Sequence, residues 1–158
     1  MANPGPAAIT TANTQLATAS QNFTSNPATQ VAQNGLRLLG SARGVSVGAV
    51  GDATTIPIAY AAVYSVLYVV VTNSQLAGVS GSIATAAAGL FTAAAAGGTA
   101  IVANAAFTGL TGATVVSQRT VASTAAFTTA TTPVLYLNVG TAVATGTCDV
   151  FVYGFDLS

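Results

Sequence analysis

Six charged side chains in a chain of 158 residues is the feature that most constrains this protein. They are Arg37, Arg43, Arg119, Asp52, Asp149 and Asp156, with no Lys, Glu or His anywhere. Charged residues thus form 4% of the sequence, against roughly 25% in an ordinary soluble domain. A free monomer with zero net charge has little electrostatic protection against association. The economical expectation is that much of the surface is covered in the working state. Small residues take the place of charges: 34 Ala, 24 Thr and 16 Gly.

The same scarcity excludes whole classes of function. Nucleic-acid binding needs a cluster of Lys and Arg to displace counterions, and three scattered Arg balanced by three Asp make no basic face. General acid–base chemistry draws on His, Glu, Asp, Lys, Tyr or Cys; three Asp, one Cys and five Tyr offer little of it. No catalytic activity, cofactor or metal is expected. The most apolar stretch, 56–71, contains Pro57, three Tyr and Ser65 and falls short of the ~20 residues of a spanning helix, so no membrane span is expected. The first residues show neither a basic n-region nor an apolar h-region, which predicts no secretory leader. Cys148 has no second cysteine for an internal disulfide. Its place in an alternating run predicts a small buried strand residue, with a bridge to a neighbouring subunit as the alternative.

Two regions differ in composition. Residues 1–34 are Ala, Thr, Asn, Gln, Ser and Pro without a charge, and no apolar period runs through them. They read as an extended N-terminal arm that either lies along its own domain or, the preferred reading, reaches over neighbouring subunits. Residues 35–158 read as one domain of short apolar runs broken by Gly, Asn and Thr. Candidate strands are 36–39, 45–50, 54–60, 63–72, 83–92, 99–103, 114–123, 134–139 and 147–157, with a short helical turn at 104–110. The predicted fold is all-β, an antiparallel β-sandwich with the jelly roll as one form of it.

Strict alternation along 63–72 puts Tyr64, Val66, Tyr68 and Val70 on one face and Val63, Leu67, Val69 and Val71 on the other. Both faces are apolar, so the strand is buried on both sides or covered by a partner. In the last strand Cys148, Val150 and Val152 oppose Asp149, Phe151, Tyr153 and Phe155. The expected core is Leu67, Val69, Val71, Leu135, Leu137, Val150 and Val152.

Motifs for chemistry are few. Gly44, Gly48 and Gly51 lack the Lys-Ser/Thr of a phosphate loop and read as turn glycines, and Asp52 as a turn residue. Asn22-Phe23-Thr24 matches the glycosylation pattern but means little without a leader. Arg37, Arg43 and Arg119, as the sole cations, either pair with an Asp, grip a partner's carboxylate bidentately, or are solvated solubility residues. Thr-rich faces also occur in ice-binding proteins, but the Thr here follow no fixed repeat.

The segments 89–103 (GLFTAAAAGGTAIVA), Leu110-Thr111, 135–142 (LYLNVGTA) and 149–157 (DVFVYGFDL) resemble small virion proteins of tailed bacteriophages, and are similar to head decoration (cement) proteins. The resemblance covers about residues 60–158 and leaves out the arm. It implies a β-sandwich without catalysis on the outer surface of the capsid, bound to the major capsid protein. It also implies a homo-oligomer, a trimer, that braces neighbouring capsomers. Within that reading Leu16 and Phe23 of the arm, with Arg37, Arg43 and Arg119, are the candidate interaction residues. The alternatives are another phage structural part, such as a head fibre base or tail protein, or an adhesin-like or ice-binding surface protein.

Overall fold

The structure, a computed structural model, describes residues 36–58, 61, 63–121 and 132–157. Leu16, Phe23 and the rest of the arm lie outside the described residues, as does the Thr-rich segment 122–131. Nine strands follow one another: β1 (Arg37–Ser46), β2 (Gly51–Pro57), β3 (Tyr64–Leu76), β4 (Val79–Ser80), β5 (Ala87–Ala93), β6 (Gly97–Ala106), β7 (Ser117–Thr120), β8 (Val134–Thr141) and β9 (Gly146–Asp156). They form two antiparallel sheets packed together, the β-sandwich expected from the sequence, and no helix is present among the described residues. The candidate strand 36–39 and the start of 45–50 merge into β1, which ends at Ser46; of the expected helical turn at 104–110 only a turn closed by Leu110 N donating to Phe107 O at 2.9 Å forms, because β6 extends to Ala106.

One sheet runs β1-β9-β3, with β4 and β7 both pairing along the far edge of β3; the other runs β2-β8-β5-β6. The pairing is nested. With the two-residue β4 set aside, the first strand pairs with the last (β1–β9) and the second with the next to last (β2–β8). The third then pairs with β7, and the innermost two with each other (β3–β7, β5–β6). Consecutive strands therefore pass repeatedly from one sheet to the other, and the two inner faces share one core.

That core is made of alternating positions. Leu39, Val45, Val66, Val69, Val71, Cys148, Val150 and Val152 come from one sheet, and Ile56, Ala88, Leu90, Ile101, Val102, Leu135, Leu137 and Val139 from the other. Ile83, Phe107 and Leu110, from the connections, are also buried in it. β-Branched residues dominate, as a pleated half-buried surface favours. At one seam of the sandwich β1 approaches β2 so closely that a Cβ on Gly40 would collide with the carbonyl oxygen of Pro57. Only glycine lets the two sheets meet there.

The expected alternation along β3 breaks at Leu67. Register passes from Val66↔Gly154 to Tyr68↔Tyr153, so Leu67 is an extra residue in a β-bulge. Tyr64 and Val66 point into the core before it, Val69 and Val71 after it. Leu67 itself is 41% exposed, a correction to its predicted burial; the other six predicted core residues are buried. Alternation in β9 holds throughout, so Asp149 and Asp156 point to opposite faces.

Candidate interaction surface

The two sheets differ in what they show on the side away from the core. On the β1-β9-β3 sheet the outward positions carry large apolar side chains. Leu38 lies opposite Tyr153, and Tyr153 opposite Tyr68; Phe151 pairs in register with Val70, and Phe155 with Ser65. The Tyr68 and Tyr153 rings stack with centroids 5.2 Å apart. Leu38 and Leu67 are 46% and 41% exposed, and the aromatic side chains around them are half-buried. The neighbouring sheet instead puts Asn138 and Asp52 at register-paired positions, joined by a 2.9 Å hydrogen bond from Asn138 Nδ2 to Asp52 Oδ1. A sheet apolar on both faces ordinarily has both covered. Among the described residues only the core side of this one is.

The cause of the patch is legible in β3 and β9. Val, Tyr and Phe fill both parities of these strands, and the Leu67 bulge turns Tyr68 and Val70 outward beside Phe151 and Tyr153. Sequence reasoning found the two-faced apolarity but assigned Leu67 to the core, because a bulge leaves no mark in a run of apolar residues. Val50, Val79 and Val116 are also exposed, singly, in connections and in β4; isolated exposed residues of this kind are ordinary.

The three arginines are not gathered into one site. Arg37 on β1 pairs with the buried Asp156 of β9, Nη1 to Oδ2 at 3.1 Å. Arg43, exposed on the same strand, lies over the Phe151 ring, 5.7 Å from its centroid. Arg119 sits on β7, beyond β9 and β3 in the same sheet. Its Nη1 donates to the carbonyls of Ala105 at 2.9 Å and Ala106 at 3.3 Å, and Nη2 to that of Ala103 at 3.5 Å. Arg119 thereby ties β7 to β6 across the second seam of the sandwich. Burial lowers its pKa from the usual value.

The remaining acids serve the fold. Asp149 accepts from the Gly44 amide at 2.8 Å and from Asn73 Nδ2 at 3.1 Å. Asp52 accepts from the Ala95 amide at 2.7 Å as well as from Asn138, and the Asn138 bond first, then the backbone bond, hold its pKa below the ordinary value. No group of three or more His, Cys, Asp or Glu that could hold a metal occurs among the described residues, and no described helix is long and apolar enough to cross a membrane. Cys148 is a free thiol, 1% exposed; burial, then the charge of Asp149, pushes its pKa up to about 12. Comparison with protein-family models, with curated proteins and with solved structures finds no match to this chain.

Proposed function

We propose that the chain is a non-enzymatic structural protein of a phage virion that binds the outer surface of the capsid and stabilises its lattice. The observation that carries this reading is the apolar outer face of Leu38, Leu67, Tyr68, Phe151 and Tyr153, which no second layer covers among the described residues, on a chain with six charged side chains. Such a face favours a permanent protein neighbour over solvent. A capsid shell presents its surface in many copies, so a small domain gains avidity from repetition.

The nested pairing supports the same reading at the level of fold. Strand order β1-β9-β3-β7 over β2-β8-β5-β6 is the order made by rolling one long antiparallel ribbon into two Greek keys, which is a jelly roll. Jelly rolls recur in viral capsid proteins and equally in lectins and cupins, so this is analogy of fold. The phage resemblance of the β5–β6 and β9 text points within that set to the virion. In this reading the major capsid protein is the partner, and the decorating unit is a homotrimer formed around a three-fold position of the lattice.

Antibody against the chain, with gold labelling of intact purified particles, tests the proposal. Label on the outside of filled heads is the expected result. Particles that lack the chain, or that carry it on the tail alone, overturn the capsid assignment; the tail result establishes the runner-up reading of another phage structural part.

A further inference from the structure

The side chain of Arg119 is held in place on one edge and open on the other. Its guanidinium lies over the buried Phe107 ring, 5.3 Å from the centroid, and its Nη1–Nη2 edge donates to the β6 carbonyls of Ala103, Ala105 and Ala106. A guanidinium has a second edge, formed by Nε and the remaining Nη2 hydrogen, whose two parallel N–H bonds match the two oxygens of a carboxylate. That edge has no partner among the described residues. Arg119 also lines a cavity of about 360 Å³, together with Val102, Ala103, Ala105, Ala106, Gln118 and Val121.

None of the three aspartates is placed to fill it. Asp156 pairs with Arg37, Asp149 with Gly44 and Asn73, and Asp52 with Asn138 and Ala95. A half-buried cation without a counter-charge is costly, and a guanidinium already oriented by stacking and backbone bonds loses little entropy on pairing. We infer that the cavity between β6 and β7 is a receptor for a single carboxylate carried by another polypeptide, gripped bidentately through Nε and Nη2 of Arg119. One positive charge balances a planar monoanion; a phosphate or sulfate dianion would be left half-compensated. This inference rests on the Arg119 geometry and holds whether or not the partner is a capsid.

The full chain has three arginines and therefore three Nε–Hε resonances, which Arg43→Lys and Arg119→Lys assign. Sodium acetate is titrated against the 15N-labelled protein at constant ionic strength, with sodium sulfate in a parallel series. The expected result is a saturable shift of the Arg119 Nε–Hε signal, at concentrations roughly tenfold below any response of Arg43. Parallel, unsaturated movement of both signals overturns the site, and tighter saturation by sulfate overturns the choice of carboxylate. Two tripeptides then separate the sources: capped Ala-Glu-Ala carries only a side-chain carboxylate, and Ala-Gln-Ala with a free C-terminus only a terminal one. Saturation by either identifies the source, and failure of both overturns the polypeptide ligand. In Arg119→Lys, checked for an intact amide spectrum, the acetate-dependent shift of the Gln118 amide is lost; its persistence counts against the bidentate grip.

Discussion

At the scale of single residues, Cys148 shows how far an environment controls chemistry. The sequence placed it in an alternating strand, and there it is packed among Val45, Val150 and their neighbours in the core. A thiol with its pKa pushed up to about 12 carries almost no thiolate at neutral pH. Native protein at pH 8 is therefore expected to resist iodoacetamide, and denatured protein to react fully; mass spectrometry of the alkylated chain reads the difference. The same shift makes stability depend on pH. The folded pKa lies above the ordinary value of 9.0, so the contribution is complete below pH 9 and is lost as pH rises toward 12. Urea midpoints are expected to fall over that window, and to fall less in Cys148→Ala. Tyr64, whose pKa burial raises against the opposing bond to Thr132, adds a decline in the same direction above its ordinary 10.0. The alternation around Cys148 was readable because a strand buried on one side repeats every two residues; the roles of the arginines were not, because ion pairing depends on strands distant in sequence. Arg37 and Asp156 are an example.

At the scale of elements, the informative positions are the irregular ones. Asp149 on β9 bonds on one side to Gly44, within the β1 bulge between Ala42 and Val45, and on the other to Asn73, within the β3 irregularity between Thr72 and Gln75. Gly44 and Asn73 both have positive φ, 59° and 53°. One carboxylate thus anchors two departures from regular pairing, and its removal leaves both without an acceptor. Asp149→Ala is expected to cost about 2–3 kcal/mol, measured as a lower urea midpoint at unchanged slope. The β5–β6 hairpin is strained in a different way. Ala95 and Ala96 both stand at φ 55°, in a two-residue turn closed by Gly97 N donating to Ala94 O at 3.0 Å. This is the geometry for which Asn-Gly is preferred. The double variant Ala95→Asn, Ala96→Gly is expected to gain about 1 kcal/mol, read as a rise in the thermal midpoint; a loss would show that the alanine turn is relaxed. None of these irregularities was legible beforehand. The sequence does read 83–92 and 99–103 as two strands joined by a small-residue loop, and the β5–β6 hairpin bears this out; the positive φ of its two central alanines leaves no mark in a run of Ala.

At the scale of the whole molecule, the fold class was legible and its wiring was not. Short apolar runs, abundant Val and Thr, and regularly spaced Gly sufficed for an antiparallel sandwich. The nested order of its strands depends on contacts far apart in the chain, which local pattern does not encode. The same limit applied to the interaction surface. Apolarity on both parities of β3 implied a covering partner, but the Leu67 bulge determines which side chains form the outer patch. The near absence of charge and the patch belong together: with so few ionised groups, association is limited only by which surfaces are apolar and complementary. A domain of this kind is expected to work as a fixed part of an assembly, its outer face against a neighbour.

For the capsid-binding role proposed above, co-sedimentation with assembled shells of a tailed-phage major capsid protein tests that claim most directly, using the wild-type chain and the double variant Leu38→Ser, Tyr153→Ser. The account predicts saturable binding of the wild type, and loss of binding by a variant whose circular dichroism spectrum is unchanged. A wild-type chain that stays in the supernatant, or a folded variant that binds as well as wild type, would contradict it.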